Sequence, residues 1–239
     1  MLNVPHAYAA GVELLCATFD FRMNLHESAF AVLSDEERTS AARFLRHEDA
    51  IRFATTRVVL RHALAKRSGL AADELRLQRD EVGRPRLAST KGHMRIPLDF
   101  NVSHSGQHAL IALATGRRVG VDIETRRADL NWQTLSTAVF APQDASYVAA
   151  LPAHVRVDAF YDVWTAKEAL LKALGIGIGR GMTWFSVLGG KQGEPLVPVI
   201  SKQMHAACTL TAFDAAWCIV PAGYSACVAW SRDNIVVEL

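Results

Sequence analysis

The sequence predicts an α+β protein made of two similar halves. Its 239 residues are enough for one large domain or two small ones, and half of them are apolar, which is ample for a core. The predicted elements come in the order strand, helix and several strands, and this order occurs twice. No repeat is visible in the sequence itself, so a pseudo-symmetric relation between the halves depends on this pattern of elements.

The first half is predicted to open with a strand over 13–20 and to continue with a long helical region. Ser34 and Glu37 have the spacing of a capping box, so the helix is expected to begin at Ser34. It is expected to end at Gly69, a typical C-cap residue, with a break near 47–49. The remaining predicted elements are strands at 75–78, 98–102 and 109–114, and a turn at Gly83.

The second half repeats the order after a linker at 115–118, which separates the predicted domains 1–115 and 116–239. Its longest helix is expected to end at Gly175, again a C-cap glycine. The predicted elements are a strand at 119–124, helices at 132–139, 142–151 and 158–174, and strands at 183–188, 208–212, 217–220 and 225–230.

Charge and cysteine content exclude several classes of protein. A net charge of +2 argues against bulk nucleic-acid binding. Residues 1–118 hold 17 Lys/Arg and 13 Asp/Glu, and residues 119–239 hold 9 and 11. This asymmetry fits a polyanion bound by the first half and a metal bound by the second, although a random distribution of surface charge explains it as well. The four cysteines lack the spacing of a zinc site or disulfide framework, and no signal peptide or membrane span is visible, so a cytoplasmic protein is expected.

Three acids and a lysine form the first candidate site. Asp122 and Glu124, in Val119-Gly-Val-Asp-Ile-Glu, share one face of the predicted strand because side chains alternate. Glu168 and Lys172, in Trp164-Thr-Ala-Lys-Glu-Ala-Leu-Leu-Lys, share one stripe of the predicted helix. Carboxylates gathered from a strand and a helix suit Mg²⁺. Taken singly, solvated acids and an ordinary helix ion pair are the simpler explanations.

Two further stretches could bind phosphate. Phe100-Asn-Val-Ser-His-Ser-Gly carries Ser103 and His104 from a strand into a loop, where both side chains can donate to phosphate oxygens. Val82-Gly-Arg-Pro-Arg has the composition of a turn, and its arginines could bind phosphate through two hydrogen bonds each. Alone, the first stretch is better explained as a polar turn that closes a hairpin, and the second is equally well explained as a solvated basic hairpin tip.

All four stretches occur in the order and spacing of one family. The chain resembles the 4′-phosphopantetheinyl transferases of the larger, two-subdomain type that activates surfactin synthetase. The resemblance runs from about residue 30 to about residue 178, and it implies two α+β subdomains related by pseudo-twofold symmetry. The matching strings are Gly83-Arg-Pro, Asn101-Val-Ser-His-Ser, Gly120-Val-Asp-Ile-Glu, Trp164-Thr-Ala-Lys-Glu-Ala-Leu-Leu-Lys and the helical stretch from Ser34 to Leu64.

The resemblance implies a reaction and a set of residues for it. Coenzyme A would donate its phosphopantetheine arm to a serine of an apo acyl or peptidyl carrier protein, and 3′,5′-ADP would leave. Mg²⁺, or Mn²⁺, would be bound by Asp122, Glu124 and Glu168. Glu168 and Lys172 would be catalytic, the first as base and the second as a cation for the migrating phosphate. The residues expected to bind coenzyme A are Arg57, Arg84, Pro85, Ser103, His104 and Lys172.

The chain also departs from the family. Glu37 and Ser40 stand where several relatives place lysines for the 3′-phosphate, and an arginine could replace these lysines, since Arg38, Arg43 and Arg52 flank them. Arg57 is a further candidate for the 3′-phosphate. Lys167 lies about 100° around the helix from Glu168, so it is expected to be structural or to contact a peripheral phosphate. The alternative function is a coenzyme A- or nucleotide-binding module without chemistry. A monomer that meets its carrier transiently, without nucleic acid or membrane, is expected, and the kind of carrier is not readable.

Overall fold

The computed structural model describes residues 2, 4–80, 83–88, 97–176, 181–188, 196, 198–200 and 210–233. Within them the chain forms six α-helices and ten β-strands, which confirms the predicted α+β class. None of the described helices has the length and apolarity needed to cross a bilayer. The helices are α1 (Pro5–Ala9), α2 (Asp35–Ala42), α3 (His47–Ser68), α4 (Trp132–Val139), α5 (Pro142–Ala150) and α6 (Arg156–Leu174).

The strands form four sheets. They are β1 (Glu13–Thr18), β2 (Leu77–Arg79), β3 (Pro85–Leu87), β4 (Leu98–Ser105), β5 (His108–Thr115), β6 (Val119–Thr125), β7 (Phe185–Ser186), β8 (Val199–Ile200), β9 (Phe213–Trp217) and β10 (Tyr224–Ser231). Two sheets have three strands, in the orders β1-β5-β4 and β6-β10-β9, and two are the pairs β2-β3 and β7-β8. In the second three-stranded sheet, β10 runs antiparallel to both neighbours.

The chain divides into two compact units. Unit 1 comprises residues 1–15, 97–103 and 110–239, and unit 2 comprises 16–96 and 104–109. In unit 1, α6 packs on the sheet β6-β10-β9, and the buried face of the helix includes Ala166, Ala169 and Leu170, none of which is exposed. This packing makes α6 the central helix of unit 1.

In unit 2, the helical region has the predicted outer bounds, but its break lies at 43–46, just before the predicted position near 47–49, where α3 already begins. The Ser34 hydroxyl accepts a hydrogen bond from the Glu37 N–H at 3.2 Å, and the Glu37 carboxylate accepts one from the Ser34 N–H at 3.1 Å, so the capping box is present. Gly69 ends α3 with φ of 74°, a left-handed conformation that glycine adopts without strain. The Glu37 carboxylate also accepts a hydrogen bond from the buried guanidinium of Arg61 at 2.7 Å, which ties α2 to α3.

Two predicted strands of the second half are wrong. Residues 210–212 form a 3₁₀ turn instead of a strand, and 208–209 lie outside the described residues. The strand predicted at 217–220 is β9, which ends at Trp217 because its pairing with β10 runs only from Phe213 to Trp217. The apolar run beyond it misled the prediction, since Ile219 is 75% exposed. Pairing with a partner strand, which is not a local property, set these bounds.

Candidate active site

Unit 1 brings Ser103, Asp122 and Lys172 together in one hydrogen-bonded cluster. The Lys172 ammonium donates to Asp122 Oδ1 at 2.6 Å and to the Ser103 hydroxyl at 3.3 Å. The Ser103 hydroxyl donates to the same Asp122 oxygen at 2.8 Å. The Asp122 side chain is only 4% exposed, which contradicts the simpler explanation of a solvated acid on a strand.

Glu168 lies on α6, one turn before Lys172, and its carboxylate is unusual. The residue is 2% exposed, and neither carboxylate oxygen has a hydrogen-bond partner within the described part of the chain. Burial raises the pKa of Glu168 to about 7; the Lys172 ammonium acts against this rise, and the carboxylates of Asp122 and Glu124 add to it. A buried group of this kind is able to exchange a proton near neutral pH.

Glu124 completes the acidic set from the end of β6. It is half-buried and lies two residues beyond Asp122, hence on the same face of the strand. In the sheet, Glu124 is opposite Ser225 and Asp122 is opposite Cys227. The carboxylate of Glu124 is close enough to Glu168 to raise its pKa, so the three acids share one electrostatic environment.

Gly120 allows β6 and α6 to approach so closely that the cluster can form. A Cβ atom at this position would lie 2.1 Å from the carbonyl oxygen of Ala169 and 2.4 Å from the backbone nitrogen of Ala173. From the sequence, Gly120 was predicted only to belong to the strand motif, with no role of its own. The available signal was a glycine inside a strand, which often marks close approach of another backbone.

The carboxylate oxygens of Asp122, Glu124 and Glu168 are the type of ligand that a hard cation such as Mg²⁺ prefers. Both oxygens of Glu168 and Asp122 Oδ2 are buried and accept no hydrogen bond from described residues, and an uncompensated buried carboxylate is costly. The distances do not form a complete site, because no group of three or more His, Cys, Asp or Glu among the described residues is close enough to hold a metal ion. The Lys172 ammonium neutralises part of the acidic charge through its contact with Asp122.

Lys167 has a structural environment. It is fully buried, its ammonium lies 2.7 Å from the equally buried Asp144 carboxylate, and it donates to the carbonyl oxygens of Met182 and Phe185. Burial lowers the pKa of Lys167, and the Asp144 carboxylate acts against this change. Its position fits the structural role expected for it and leaves no path to a peripheral phosphate.

The other residues predicted to bind coenzyme A lie in unit 2. Arg57 has its Nε 3.9 Å from Glu37 Oε1 and its guanidinium 5.2 Å from the centre of the Phe53 ring, and burial lowers its pKa. Arg84 is 8% exposed, Pro85 begins β3, and His104 is exposed on β4. Their function stays a prediction.

Comparison with known proteins gives two family matches that are separated by a single residue. Residues 118–229 match the family described as the 4′-phosphopantetheinyl transferase superfamily, and residues 22–116 match the one described as 4′-phosphopantetheinyl transferase, N-terminal. Together the two matches span most of the chain.

Individual relatives carry the same description. A protein of Synechocystis sp. provisionally named a 4′-phosphopantetheinyl transferase is 38% identical over 64% of this chain and 61% of its own length. The 4′-phosphopantetheinyl transferase HetI of Nostoc sp. is 33% identical over 63% of this chain and 62% of its own length. The 4′-phosphopantetheinyl transferase Sfp of Bacillus subtilis is 26% identical over 90% of this chain and 89% of its own length. The chain thus spans about three fifths of the length of the first two relatives.

Proposed function

The chain belongs to the 4′-phosphopantetheinyl transferase superfamily, and we propose that it transfers the 4′-phosphopantetheine arm of coenzyme A to a serine of an apo acyl or peptidyl carrier protein, releasing 3′,5′-ADP. The observation that carries this proposal is the buried cluster of Asp122, Glu168 and Lys172. The Glu168 carboxylate accepts no hydrogen bond from the described residues, and Lys172, one helical turn away, lies 2.6 Å from the Asp122 carboxylate. A diphosphate and its metal require this combination of charges.

In this proposal Mg²⁺ or Mn²⁺ is bound by Asp122, Glu124 and Glu168. Support comes from the three buried carboxylate oxygens of Asp122 and Glu168 that accept no hydrogen bond from described residues. When bound, the ion neutralises charge on the diphosphate and acts as a Lewis acid.

Glu168 is the proposed proton acceptor for the carrier serine. Burial raises the pKa of this carboxyl group, so Glu168 is suited to take up a proton, directly or through a water held at the site. The serine oxygen bonds to the β-phosphorus as the bond between this phosphorus and the bridging oxygen breaks, and 3′,5′-ADP leaves with that oxygen. Lys172 stabilises the phosphate charge during transfer as a compact ammonium.

The nucleotide end of coenzyme A is assigned to Arg57, Arg84, Pro85, Ser103 and His104. Within this proposal residues 1–115 form the subdomain for nucleotide contacts, and residues 116–239 form the subdomain for the metal and the chemistry. The chain acts as a monomer that meets its carrier transiently, without nucleic acid or membrane. The free thiols of Cys16, Cys218 and Cys227 suit a reducing cytoplasm.

The test is incubation of the purified protein with coenzyme A, Mg²⁺ and a panel of apo-carrier proteins, read by intact mass. We expect at least one carrier to gain one phosphopantetheine, and we expect the gain to disappear with EDTA and with Lys172→Met. Methionine keeps the length and apolar stem of lysine but has no charge. Binding of coenzyme A without modification of any carrier would favour the binding-module alternative.

A further inference from the structure

Three polar side chains of β4 point toward β6. Asp99, Asn101 and Ser103 are two residues apart, so they lie on one face of the strand, whereas Phe100 lies on the other. Asp99 and Asn101 are 2% and 7% exposed. Polar residues are rarely so buried unless their hydrogen bonds are satisfied, and each of the three side chains has a hydrogen-bond partner on β6.

These side chains join β4 to β6 at successive positions. Asp99 Oδ2 accepts a hydrogen bond from the Val119 N–H at 2.9 Å, and Asn101 Oδ1 accepts one from the Val121 N–H at 2.9 Å. From the first bond to the second, the residue on β4 and the residue on β6 both advance by two positions, so the two strands run parallel along this row of hydrogen bonds, here called the seam. β4 and β6 are edge strands of different sheets, and the seam satisfies backbone N–H groups that a sheet edge leaves unpaired.

The backbone just before Asp122 is therefore held from two sides. The Val121 N–H donates to Asn101, and the Val121 carbonyl oxygen accepts from the Lys172 ammonium at 3.4 Å. The Asp122 carboxylate accepts from Ser103 and Lys172 through Oδ1 alone. Oδ2 is left buried and without a described hydrogen-bond partner, so its direction depends on the two bonds to Oδ1 and on the backbone that carries Asp122.

We propose that Asn101 is a positioning residue, which fixes the orientation of Asp122 Oδ2 toward the divalent cation through the Val121 N–H. This inference rests on the proposed function, since it concerns the cation site named there. Groups that orient a metal ligand without touching the metal typically change affinity or activity by about 10- to 100-fold when removed. Asp99 makes the same kind of bond at Val119, three residues before Asp122, and is expected to affect orientation less.

The contrast between these two positions supplies the experiment. Mn²⁺ binding is measured by electron paramagnetic resonance on wild type, Asn101→Ala and Asp99→Ala, each saturated with coenzyme A, without carrier and hence without turnover. We expect Asn101→Ala to raise the Mn²⁺ Kd by about tenfold or more and Asp99→Ala to raise it by less than about threefold, with similar falls in melting temperature. Hydrogen exchange at the Val121 amide should accelerate in Asn101→Ala.

Each outcome separates the two proposals. Equal Mn²⁺ Kd values for both variants, with lowered melting temperatures, would show that Asn101 is purely structural. No Mn²⁺ binding by the wild type would overturn the metal assignment itself, whereas wild-type binding with an unshifted Asn101→Ala Kd would overturn only the positioning role. Where Asn101→Ala does not fold, Asn101→Ser replaces it, because the shorter hydroxyl does not reach the Val121 N–H, and the same Kd shift is expected.

Discussion

Glu168→Gln should change how the stability of the metal-free protein depends on pH. The carboxyl group of Glu168 has a pKa of about 7 in the folded chain, raised mainly by burial from an ordinary value of 4.5. Between these two values the folded chain holds a proton that the unfolded chain has released. The free energy of unfolding must therefore fall as the pH rises from about 4.5 to about 7, because deprotonation favours the unfolded chain.

The magnitude follows from the shift. Each pKa unit corresponds to about 1.4 kcal/mol, so between pH 5 and pH 8 the wild type should lose about 2 to 3 kcal/mol through Glu168 alone. Glutamine has no proton to lose in this range. Relative to wild type, Glu168→Gln should therefore become more stable by the same amount, about 2 to 3 kcal/mol, as the pH rises from 5 to 8.

The assay is urea unfolding of both proteins in EDTA at several pH values, followed by circular dichroism. Glu168→Leu is the control, because it also lacks the carboxyl group but has a different shape. Its curve should differ from that of Glu168→Gln only by a constant offset. If the free energies of unfolding of wild type and Glu168→Gln change in parallel from pH 5 to pH 8, the Glu168 carboxylate is not desolvated in solution. Its assignment as a base near neutral pH would then be wrong.

Two more perturbations test the packing around the site. In Gly120→Ala the new Cβ meets the backbone of α6, so we expect about 1–3 kcal/mol of destabilisation and a loss of kcat larger than that of the control. The control is Val121→Ala at a buried neighbouring residue, which should lower the melting temperature without this additional loss of kcat. A wild-type kcat in Gly120→Ala would contradict the close approach of β6 and α6. Lys167→Met leaves the Asp144 carboxylate buried without its cation, which should lower the free energy of unfolding by about 3–5 kcal/mol. In urea unfolding, the double variant with Asp144→Asn should recover part of this loss. Strictly additive losses of the two single variants would show that the two residues are not coupled.

Local signals predicted the helices well. The capping box of Ser34 and Glu37 and the C-cap glycines Gly69 and Gly175 act within one turn of the chain, and the helix ends that they mark were predicted correctly. The break between α2 and α3 and the start of α6, which carry no such signal, were each misplaced by a few residues. β7 and β8 are two residues each, and β9 has the length of its pairing with β10. Such bounds depend on a partner strand distant in sequence, which periodicity does not reveal.

The same distinction applies to the site. Strand alternation placed Asp122 and Glu124 on one face, and helical spacing placed Glu168 and Lys172 on one stripe, so the four residues were found from sequence. The ion pair between Lys172 and Asp122 joins residues 50 positions apart. It depends on how α6 lies on β6, and no local pattern encodes that.

The spacing between β6 and α6 has a consequence for how the protein tolerates change. At Gly120 the strand meets the carbonyl oxygen and the amide nitrogen of the helix, so backbone atoms rather than side chains set the separation. Substitutions that alter side-chain volume elsewhere in the core, such as at Leu170, can weaken the fold while the distance between the strand acids and the helix acids stays the same. The spacing of the acids should therefore tolerate substitutions at many interior positions, but hardly any substitution at Gly120, where a hydrogen atom takes the place of a side chain.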